Sequence, residues 1–422
     1  MDKFVILGGS PLKGTISVSG SKNAALPLMA AALLADAPVT ITNIPLLKDI
    51  FTFNKVISVT GAGLSFDEDR RELTIDPTSL TSYEAPYEQV RKMRASFYMA
   101  GALLGAAGYA RVSLPGGCAW GPRPVNLHLE GLTALGAEIE MDQGYVIARA
   151  PNGRLPGGTF ELKPSSVGAT VNLVLAAVRA RKTSVIRNAA MEPDVVNLCD
   201  NLNRLGARIE GAGTPVITVE GVERLEGGRM DNTPDRIETG TFMIAAAMLP
   251  GSDLTLTHTL REDLGSFTET FARLNTGLDL AENTIRVRAA DTIPPVSVET
   301  AIYPGFPTDL QAQWATMMTQ AKGLSTITDH IYPDRFSYVP ELNRLGADVR
   351  RNDNRATIYG KSHLKGASVM STDLRASVSL VMAGMAAEGE TEVLRVYHLD
   401  RGYEALEKKL NGVGAQIRRE SE

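Results

Sequence analysis

Cys118 is the side chain with the clearest potential for covalent chemistry, and it lies in the run LPGGCAWGPRP at residues 114–124. The glycines and prolines of that run predict a loop. Core cysteines occur in periodic apolar runs, as Cys199 does, so Cys199 is predicted to be a packing residue. Arg94 and Arg123 are expected to lower the pKa of the Cys118 thiol and make it reactive. A loop thiol without a function is the alternative.

A second set of candidates consists of polar residues at the starts of six apolar, alanine-rich segments. Helix N-termini carry unpaired N–H groups and a partial positive charge, so they suit phosphate and carboxylate groups. Simple capping is the alternative, since Ser, Thr and Asp often cap helices and do nothing else. Six equivalent polar starts favour a shared function over capping alone. These starts carry Lys22, Arg94, Ser165 with Ser166, Asp235 with Glu238, Asp309, and Arg375.

Further arginines lie close to aspartates in the C-terminal half, in Asp334-Arg335-Phe336, Asp373-Leu374-Arg375 and Asp400-Arg401-Gly402-Tyr403. Arginine suits two-pronged recognition of carboxylate and phosphate, although each pair taken singly is an ordinary surface ion pair. The histidines and cysteines lack the spacing of metal ligands. Neither a Walker loop nor a dinucleotide-binding fingerprint is present. The sequence therefore predicts neither a metal nor a cofactor.

Internal repeats indicate the elements that position these residues. A helix end, a glycine suited to a left-handed cap, and a strand recur along the chain. Six units of about 70 residues fill it, and each predicts about two helices on a few strands, too little to bury its own apolar face. Three units around a shared axis would bury the alanine-rich helices, so we expect two similar α/β domains. The repeat glycines are Gly61, Gly136, Gly206, Gly346 and Gly414, with a degenerate copy at Gly277.

Composition restricts the functional class. The chain has 422 residues, 43 Lys and Arg against 48 Asp and Glu, and a net charge of −5. That balance argues against a nucleic-acid-binding surface as the main function. Two cysteines form no disulfide framework, which fits a reducing cytoplasm. The N-terminus predicts a strand and no signal peptide, and the apolar stretches are too short to span a bilayer. We therefore expect a cytoplasmic protein without a membrane partner.

Several motifs together resemble those of the UDP-N-acetylglucosamine 1-carboxyvinyltransferases, a group within the enolpyruvyl transferase family. The resemblance extends from end to end of the chain. These motifs are SGSKNAALP at 19–27, PGGC at 115–118, RPV at 123–125, PDRIETG at 234–240, FPTD at 306–309 and DRGY at 400–403. The resemblance implies transfer of the carboxyvinyl group of phosphoenolpyruvate to the 3-hydroxyl of UDP-N-acetylglucosamine with release of phosphate, the first committed step of peptidoglycan synthesis.

The same resemblance implies an α/β fold of two inside-out α/β barrel domains, each made of three repeated units, in agreement with the six repeats. It also implies a discontinuous first domain of residues 1–21 and 234–422. The second domain, residues 22–233, would carry the Cys118 loop. The repeat count alone does not predict that the N-terminal segment joins the C-terminal half.

The resemblance assigns roles to individual residues. Cys118 would donate a proton to the enol carbon and react with fosfomycin, Asp309 would act as the base on the sugar hydroxyl, and Lys22 would take part in catalysis. Contacts to phosphoenolpyruvate are assigned to Lys22, Asn23, Arg123, Arg335, Arg375 and Arg401. Contacts to the uridine and diphosphate are assigned to Arg94, Arg123, Pro124, Val125, Asn126, Leu127, Lys163, Ser165, Ser166, Val167 and Gly168. Ile331 and Asp373 complete the expected substrate-binding set.

The chain departs from the family pattern at Trp120 and Pro122, at Asn126, where the family commonly has Asp, and within residues 163–167. Two alternatives remain from the sequence. The sister enzyme that makes 5-enolpyruvylshikimate 3-phosphate shares the fold and the donor but lacks the PGGC loop. A non-catalytic relative that binds a sugar nucleotide would need none of the acid and base groups Cys118, Asp309 and Lys22.

Overall fold

The computed structural model describes residues 2–91, 93–115 and 125–421. The described helices follow the predicted apolar and amphipathic segments. In chain order they are α1 (Lys22–Ala31), α2 (Lys48–Ser58), α3 (Tyr87–Val90), α4 (Tyr98–Ala107), α5 (Asn126–Ala134), α6 (Val167–Ala177), α7 (Pro193–Arg204), α8 (Arg236–Met248), α9 (Phe267–Ala272), α10 (Gln311–Met318), α11 (Tyr338–Arg344), α12 (Leu374–Ala386) and α13 (Leu406–Asn411).

The described strands are short, and most of them alternate buried and exposed residues. They are β1 (Asp2–Leu7), β2 (Lys13–Ser17), β3 (Val39–Thr42), β4 (Gly63–Asp67), β5 (Glu72–Asp76), β6 (Glu84–Ala85), β7 (Tyr109–Ser113), β8 (Glu138–Asp142), β9 (Tyr145–Arg149), β10 (Thr159–Glu161), β11 (Ser184–Arg187), β12 (Arg208–Glu210), β13 (Val216–Glu220), β14 (Gly228–Asp231), β15 (Asp253–Thr257), β16 (Gly277–Leu280), β17 (Thr284–Arg288), β18 (Val298–Glu299), β19 (Leu324–Thr328), β20 (Asp348–Asn352), β21 (Arg355–Tyr359), β22 (Ser368–Met370), β23 (Glu390–Leu394) and β24 (Gln416–Ser421).

Within the described residues the strands form six four-stranded sheets of one topology. In the sheet ordered β6-β7-β9-β8, β6 runs parallel to β7, and the other two pairings are antiparallel. The other five sheets, with orders β14-β3-β5-β4, β10-β11-β13-β12, β2-β15-β17-β16, β18-β19-β21-β20 and β22-β23-β1-β24, repeat this arrangement. This shared topology confirms the prediction of six repeated α/β units.

The chain divides into two compact units. Gly20–Thr233 form one, here called the central unit, and Met1–Ser19 with Pro234–Glu422 form the other, the split unit. The division falls after Ser19 and not after residue 21. Each unit contains three of the sheets, and β1 lies between β23 and β24 in a sheet of the split unit.

The alanine-rich helices form the interior of each unit. In the central unit α4 packs against α1 and α6, and in the split unit α10 packs against α8 and α12. From Ala169 to Ala177 every residue of α6 is buried, and so is every residue of α10. Helices inside and sheets outside give the predicted inside-out α/β arrangement. Burial of apolar area, at about 25 cal/mol per Å², is the main stabilising contribution in each unit.

Two glycines allow α4 and α6 to approach closely. A Cβ atom added at Gly101 would lie 2.3 Å from the carbonyl oxygen of Asn172, and one at Gly105 would lie 2.6 Å from that of Leu175. Both distances are far below van der Waals contact, so a side chain at either position would force the helices apart.

Local details agree with the sequence in part. Cys199 is fully buried in α7, which confirms its packing role, and burial with Asp200 nearby raises its pKa to about 12. Pro27 lies in the interior of α1. It therefore removes the N–H that would otherwise bond to the carbonyl of Asn23. No helix in the described part of the chain combines the length and apolar character of a membrane span.

Candidate active site

Asp309 is the centre of a charged cluster in the split unit. It lies in the 3-10 turn Thr308–Leu310 that leads into α10. Arg335 Nη1 is 2.6 Å from Asp309 Oδ1, and Arg375 Nη2 is 2.9 Å from Oδ2. Three residues singled out from the sequence, distant from one another along the chain, thus meet in one cluster. Each guanidinium holds a different oxygen of the carboxylate, so both oxygens are engaged.

The two arginines keep Asp309 ionised. Burial by itself would raise the pKa of this carboxyl, but the charges and hydrogen bonds of Arg375 and Arg335 outweigh burial and hold the pKa well below its usual range. Arg375 is almost completely buried, whereas Asp309 keeps about a quarter of its side chain exposed (23%). The cluster therefore presents a carboxylate and two cations, which suits an anionic ligand beside a group that can accept a proton.

Asp373 fixes the start of the helix that carries Arg375. Its Oδ1 accepts the N–H groups of Arg375 at 2.9 Å and of Ala376 at 3.1 Å. Its Oδ2 accepts a hydrogen bond from the hydroxyl of Ser337 at 3.0 Å. Asp373 is therefore an N-cap in this structure, which is the simpler of the two functions considered for polar helix starts. Tyr403 Oη lies 3.3 Å from Arg375 Nη1 and supports the guanidinium from another side.

Asp329, which the sequence analysis missed, organises the segment before Asp309. Its fully buried carboxylate accepts hydrogen bonds from Thr300 Oγ1 at 2.8 Å and Thr308 Oγ1 at 2.7 Å. It also accepts the N–H groups of Ile331 and Tyr332 at 2.9 and 2.8 Å. One carboxylate thus fixes both the residue before Asp309 and the expected contact residue Ile331. Its position directly after β19 was the only sequence signal.

Glu238, which is buried, and Lys409, which is half-buried, form a second ion pair in the split unit. Lys409 Nζ lies 2.7 Å from Glu238 Oε1 and 2.6 Å from the Ser19 hydroxyl, and Glu238 Oε2 accepts the Ser19 N–H. Burial raises the pKa of Glu238, and the Lys409 ammonium offsets only part of that effect. Asp235 caps α8 by accepting the N–H groups of Ile237 and Glu238. Lys409 was not anticipated from the sequence.

Lys22 is held by a carboxylate in the central unit. Its Nζ lies 3.2 Å from Oδ2 of Asp49, whose side chain is only 7% exposed. The preceding residue, Ser21, caps α1 and donates its hydroxyl to Asp194 at 2.9 Å. Asn23 follows on the exposed side of the helix start. Asp49 and Asp194 were not among the predicted site residues, yet they orient the segment that contains Lys22 and Asn23.

The predicted nucleotide-binding residues lie at the starts of α5 and α6, and Arg94 begins the 3-10 turn Arg94–Phe97 before α4. Val125 is buried, Leu127 is half-buried, and Asn126 is exposed near Glu130. Lys163 is exposed and pairs with Glu161 at 3.2 Å. Ser166 caps α6, and the half-buried Ser165, Val167 and Gly168 adjoin that cap. Cys118, Arg123 and Pro124 lie outside the described residues.

The remaining predicted residue, Arg401, ends the 3-10 turn Val396–Arg401 in the split unit. It lies near His398, and burial followed by the charge of Arg401 lowers the pKa of that histidine. In the described residues no group of three or more His, Cys, Asp or Glu side chains is arranged to hold a metal ion.

Comparison with known proteins places the fold and the sequence in one family. The enolpyruvyl transferase NikO from Streptomyces tendae superposes with a TM-score of 0.89 at 26% identity, covering 99% of this chain and 98% of that chain. An EPSP synthase from Acinetobacter baumannii superposes with a TM-score of 0.78 at 17% identity, with both chains fully covered. The fold is therefore that of the enolpyruvyl transferases.

Sequence relatives narrow the assignment. The family model for EPSP synthase (3-phosphoshikimate 1-carboxyvinyltransferase) matches residues 6–410. The UDP-N-acetylglucosamine 1-carboxyvinyltransferase of Chloroherpeton thalassium is 50% identical over 422 residues, covering 100% of this chain and 98% of that protein. Its counterpart in Azorhizobium caulinodans is 50% identical over 428 residues, with 99% of each chain covered. The chain belongs to the family of UDP-N-acetylglucosamine 1-carboxyvinyltransferases, within the enolpyruvyl transferases.

Proposed function

We propose that this protein transfers the enolpyruvyl group of phosphoenolpyruvate to the 3-hydroxyl of UDP-N-acetylglucosamine and releases phosphate. The observation that carries the proposal is the cluster of Asp309 with Arg335 and Arg375, because it combines a proton acceptor with two cations suited to an anionic substrate. Full-length relatives that carry the name of this activity support the choice of substrates.

The chemistry has two steps. In the first, the sugar hydroxyl adds to C2 of phosphoenolpyruvate, while its proton passes to a base and C3 receives a proton from an acid. In the second, phosphate leaves and C3 returns a proton, which restores the vinyl group. We assign Asp309 as the base, Cys118 as the acid at C3, and Lys22 with the arginines as the cations that stabilise the anionic intermediate.

The ion pairs of Asp309 with Arg335 and Arg375 have to weaken before Asp309 can act as an effective base. A carboxylate whose pKa is held low by two arginines is a weak base. The phosphate and carboxylate of the substrate would compete for Arg335 and Arg375, and the partial loss of those ion pairs would raise the pKa of Asp309 towards the range of an effective base. Substrate binding and base activation are therefore coupled in this mechanism.

The remaining roles follow the family pattern. We assign substrate contacts to Asn23, Arg94, Arg123, Pro124, Val125, Asn126, Leu127, Lys163, Ser165, Ser166, Val167, Gly168, Ile331, Asp373 and Arg401. Oδ1 of Asp373 already accepts two backbone N–H groups at the start of α12. We therefore assign the substrate contact of Asp373 to its other atoms. We also propose a cytoplasmic role in peptidoglycan synthesis, inactivation by fosfomycin at Cys118, and catalysis without a metal or cofactor.

Phosphate release in the presence of phosphoenolpyruvate tests the proposal directly. We expect release with UDP-N-acetylglucosamine and none with shikimate 3-phosphate, and the product should gain the mass of one enolpyruvyl group. Turnover with shikimate 3-phosphate would instead establish the sister activity. Binding of UDP-N-acetylglucosamine without any phosphate release would establish a non-catalytic relative.

A further inference from the structure

Tyr403 belongs to a buried chain of polar groups in the split unit. Its hydroxyl oxygen lies 3.3 Å from Nη1 of Arg375 in α12 and 2.9 Å from Oγ1 of Thr241 in α8. Nε2 of Gln313, in α10, lies 3.3 Å from the same oxygen. Tyr403, Thr241 and Gln313 are each at most 2% exposed. The three helices that pack together inside the split unit are thus connected through one phenol.

The direction of these hydrogen bonds follows from what each group can donate or accept. Arg375 can only donate to the Tyr403 oxygen. The single hydroxyl proton of Thr241 goes to the carbonyl oxygen of Ile237, 2.8 Å away. Thr241 Oγ1 is therefore free to accept, and the Tyr403 proton points to it. The Tyr403 oxygen is left as an acceptor for the Arg375 guanidinium.

Gln313 connects the same chain to the backbone of Asp309. Its Nε2 lies 3.0 Å from the Asp309 carbonyl oxygen and 3.1 Å from Thr241 Oγ1. A carbonyl oxygen can only accept, so Nε2 and not Oε1 of the amide faces this region. The backbone of Asp309 and the guanidinium of Arg375 are therefore fixed by one connected set of hydrogen bonds, whose centre is the Tyr403 hydroxyl.

The phenol determines which arm of the Arg375 guanidinium reaches Asp309. Nη2 donates to Oδ2 of Asp309 at 2.9 Å, while Nη1 is held by Tyr403. Arg375 is only 5% exposed, so without the tyrosine oxygen its Nη1–H group would be a buried donor in need of an acceptor. The Asp309 carboxylate, already bound to the neighbouring arm, is the acceptor at hand. We propose that Tyr403 is a positioning residue whose hydroxyl restrains Arg375 to a one-armed ion pair with Asp309.

This inference rests on the proposed function, in which Asp309 becomes the base once the substrate draws the arginines away. A guanidinium that binds with both arms holds a carboxylate more tightly than one that binds with a single arm. Removal of the Tyr403 hydroxyl would therefore strengthen the ion pair, lower the pKa of Asp309 further and weaken it as a base. Besides Tyr403, the charged groups that act on this pair are Arg335 and Asp235.

Tyr403→Phe removes the hydroxyl and keeps the ring. We expect kcat for phosphate release to fall about tenfold and KM for phosphoenolpyruvate to rise, because the substrate has to displace a stronger ion pair. The acid limb of the kcat profile against pH, identified by its absence in Asp309→Asn, should move to lower pH. The reason is that a base with a lower pKa stays ionised further into the acid range.

A second variant acts on the same chain from its other end. Thr241→Val keeps the side-chain shape but leaves the Tyr403 proton without its acceptor, which loosens the hold on Arg375. We expect kcat to fall in the same direction, by about threefold. Thr316→Val is the matched control, because this buried hydroxyl in α10 donates instead to backbone carbonyl oxygens. Its kcat and pH profile should equal those of the wild type, and equal losses in the two threonine variants would overturn the inference.

A double-mutant cycle separates positioning from general packing. If Tyr403 acts through Asp309, Tyr403→Phe should lower kcat about tenfold in the wild-type background and leave the residual turnover of Asp309→Asn unchanged. A tenfold loss in both backgrounds would show a packing role and overturn the inference. So would a wild-type kcat and pH profile in Tyr403→Phe.

A crystal structure of Tyr403→Phe tests the geometry without any measurement of turnover. We expect both Nη atoms of Arg375 to lie within hydrogen-bond distance of the Asp309 carboxylate. If they do and the wild-type protein forms no enolpyruvyl product, the positioning role stands and the enzymatic proposal falls. If product forms and Arg375 keeps its one-armed contact in the variant, only the inference falls.

Discussion

At the scale of single residues, the environments of Asp309 and Glu238, both in the split unit, shift the pKa of the two carboxyl groups in opposite directions. Asp309 is held ionised by Arg335 and Arg375, and Glu238 has a raised pKa because burial outweighs its pairing with Lys409. Two acids in one unit thus differ in their readiness to hold a proton. The assignment of a base therefore has to consider the arginines as well as the carboxylate.

Asp309→Asn should retain binding of UDP-N-acetylglucosamine and lose turnover by about 10²- to 10⁴-fold, because the amide keeps the shape but cannot accept a proton. Steady-state phosphate release and calorimetric binding measure the two effects. Asp348→Asn is a matched control, since that exposed carboxylate pairs with Arg350 alone among the described residues. Turnover within a few-fold of the wild type in Asp309→Asn would remove this residue from the base role.

The same ion pairs predict a pH-dependent contribution to stability. The folded-state pKa of Asp309 is depressed, so its contribution is present above the unfolded pKa of about 3.9 and is lost as pH falls through the folded value. The difference in melting temperature between wild type and Asp309→Asn should therefore be largest near neutrality and shrink below about pH 4. A constant difference from pH 7 to pH 3 would contradict the pairing.

Fosfomycin should modify one cysteine per chain. Cys118 lies in a Gly/Pro-rich run near basic residues, whereas Cys199 is buried and its pKa is raised to about 12. Peptide mass spectrometry should find label on Cys118 only. Cys118→Ser should resist the drug and lose most turnover, while Cys118→Asp should resist it and stay active, since a carboxyl with a raised pKa can donate the proton. Label on Cys199 would contradict the assignment.

At the scale of elements, helix starts deliver the site residues and buried polar groups fix those starts. Ser21 and Asp373 cap helices whose first turns carry Lys22 and Arg375. Asp329 holds the turn that precedes α10. Close packing between helices then sets the positions of the starts relative to one another within each unit, so a change deep in a helix contact is expected to reach the site.

Asp329→Asn should destabilise the segment before α10. The buried carboxylate accepts four hydrogen bonds, from Thr300, Thr308, Ile331 and Tyr332, and an amide cannot accept on both sides. We expect a loss of about 1–3 kcal/mol in the free energy of unfolding and a clear fall in kcat. Denaturant unfolding and phosphate release measure these effects. Wild-type stability and kcat would show that the network is dispensable.

Gly101→Ala should separate α4 from α6. Its Cβ would lie 2.3 Å from the Asn172 carbonyl oxygen, so helix backbones must move apart. Overpacking of this kind costs about 1–3 kcal/mol, to be measured by denaturant unfolding. Ala107→Ser is the control, because it adds one atom at a partly exposed position of the same helix. Equal stability of both variants would show that the contact relaxes without cost.

At the scale of the whole molecule, the two units differ in chain continuity. All strands of the central unit lie between Gly20 and Thr233. The split unit needs β1 and β2, and β1 occupies an inner position of its sheet. Residues 234–422 alone would therefore expose unpaired strand edges and apolar helix surface.

A fragment of residues 20–233 should fold on its own, whereas residues 234–422 without 1–19 should not. Because Asp2 pairs with Ser421, residues 2 and 421 lie close together, and a permuted fragment with residues 1–19 joined after 422 by a short linker should regain the fold. Circular dichroism and amide NMR dispersion measure folding. A cooperatively folded 234–422 fragment would contradict the requirement for β1 and β2.

The sequence by itself determined much of this architecture. Recurring glycines and alanine-rich segments predicted the six units and their buried helices, and polar residues at the segment starts predicted Lys22, Asp309 and Arg375 as site candidates. These signals are local. The burial of one face sets the spacing of apolar residues, and each helix start leaves N–H groups unpaired that nearby polar residues cap. The burial of Cys199 was predictable for the same reason. The position of Pro27 in the interior of α1 was not predictable from these signals.

Only the tertiary structure decided which of these groups meet. The ion pairs of Asp309 with Arg335 and Arg375 join segments that are distant in sequence. The residue expected to act as the base is therefore a carboxylate held by two cations. The hydrogen-bond network of Asp329 was not predictable from the sequence, since two of its partners, Thr300 and Thr308, lie more than 20 residues away along the chain. Long-range contacts depend on how helices and strands pack, and that packing is fixed by the shapes of many side chains at once. A local pattern cannot report it.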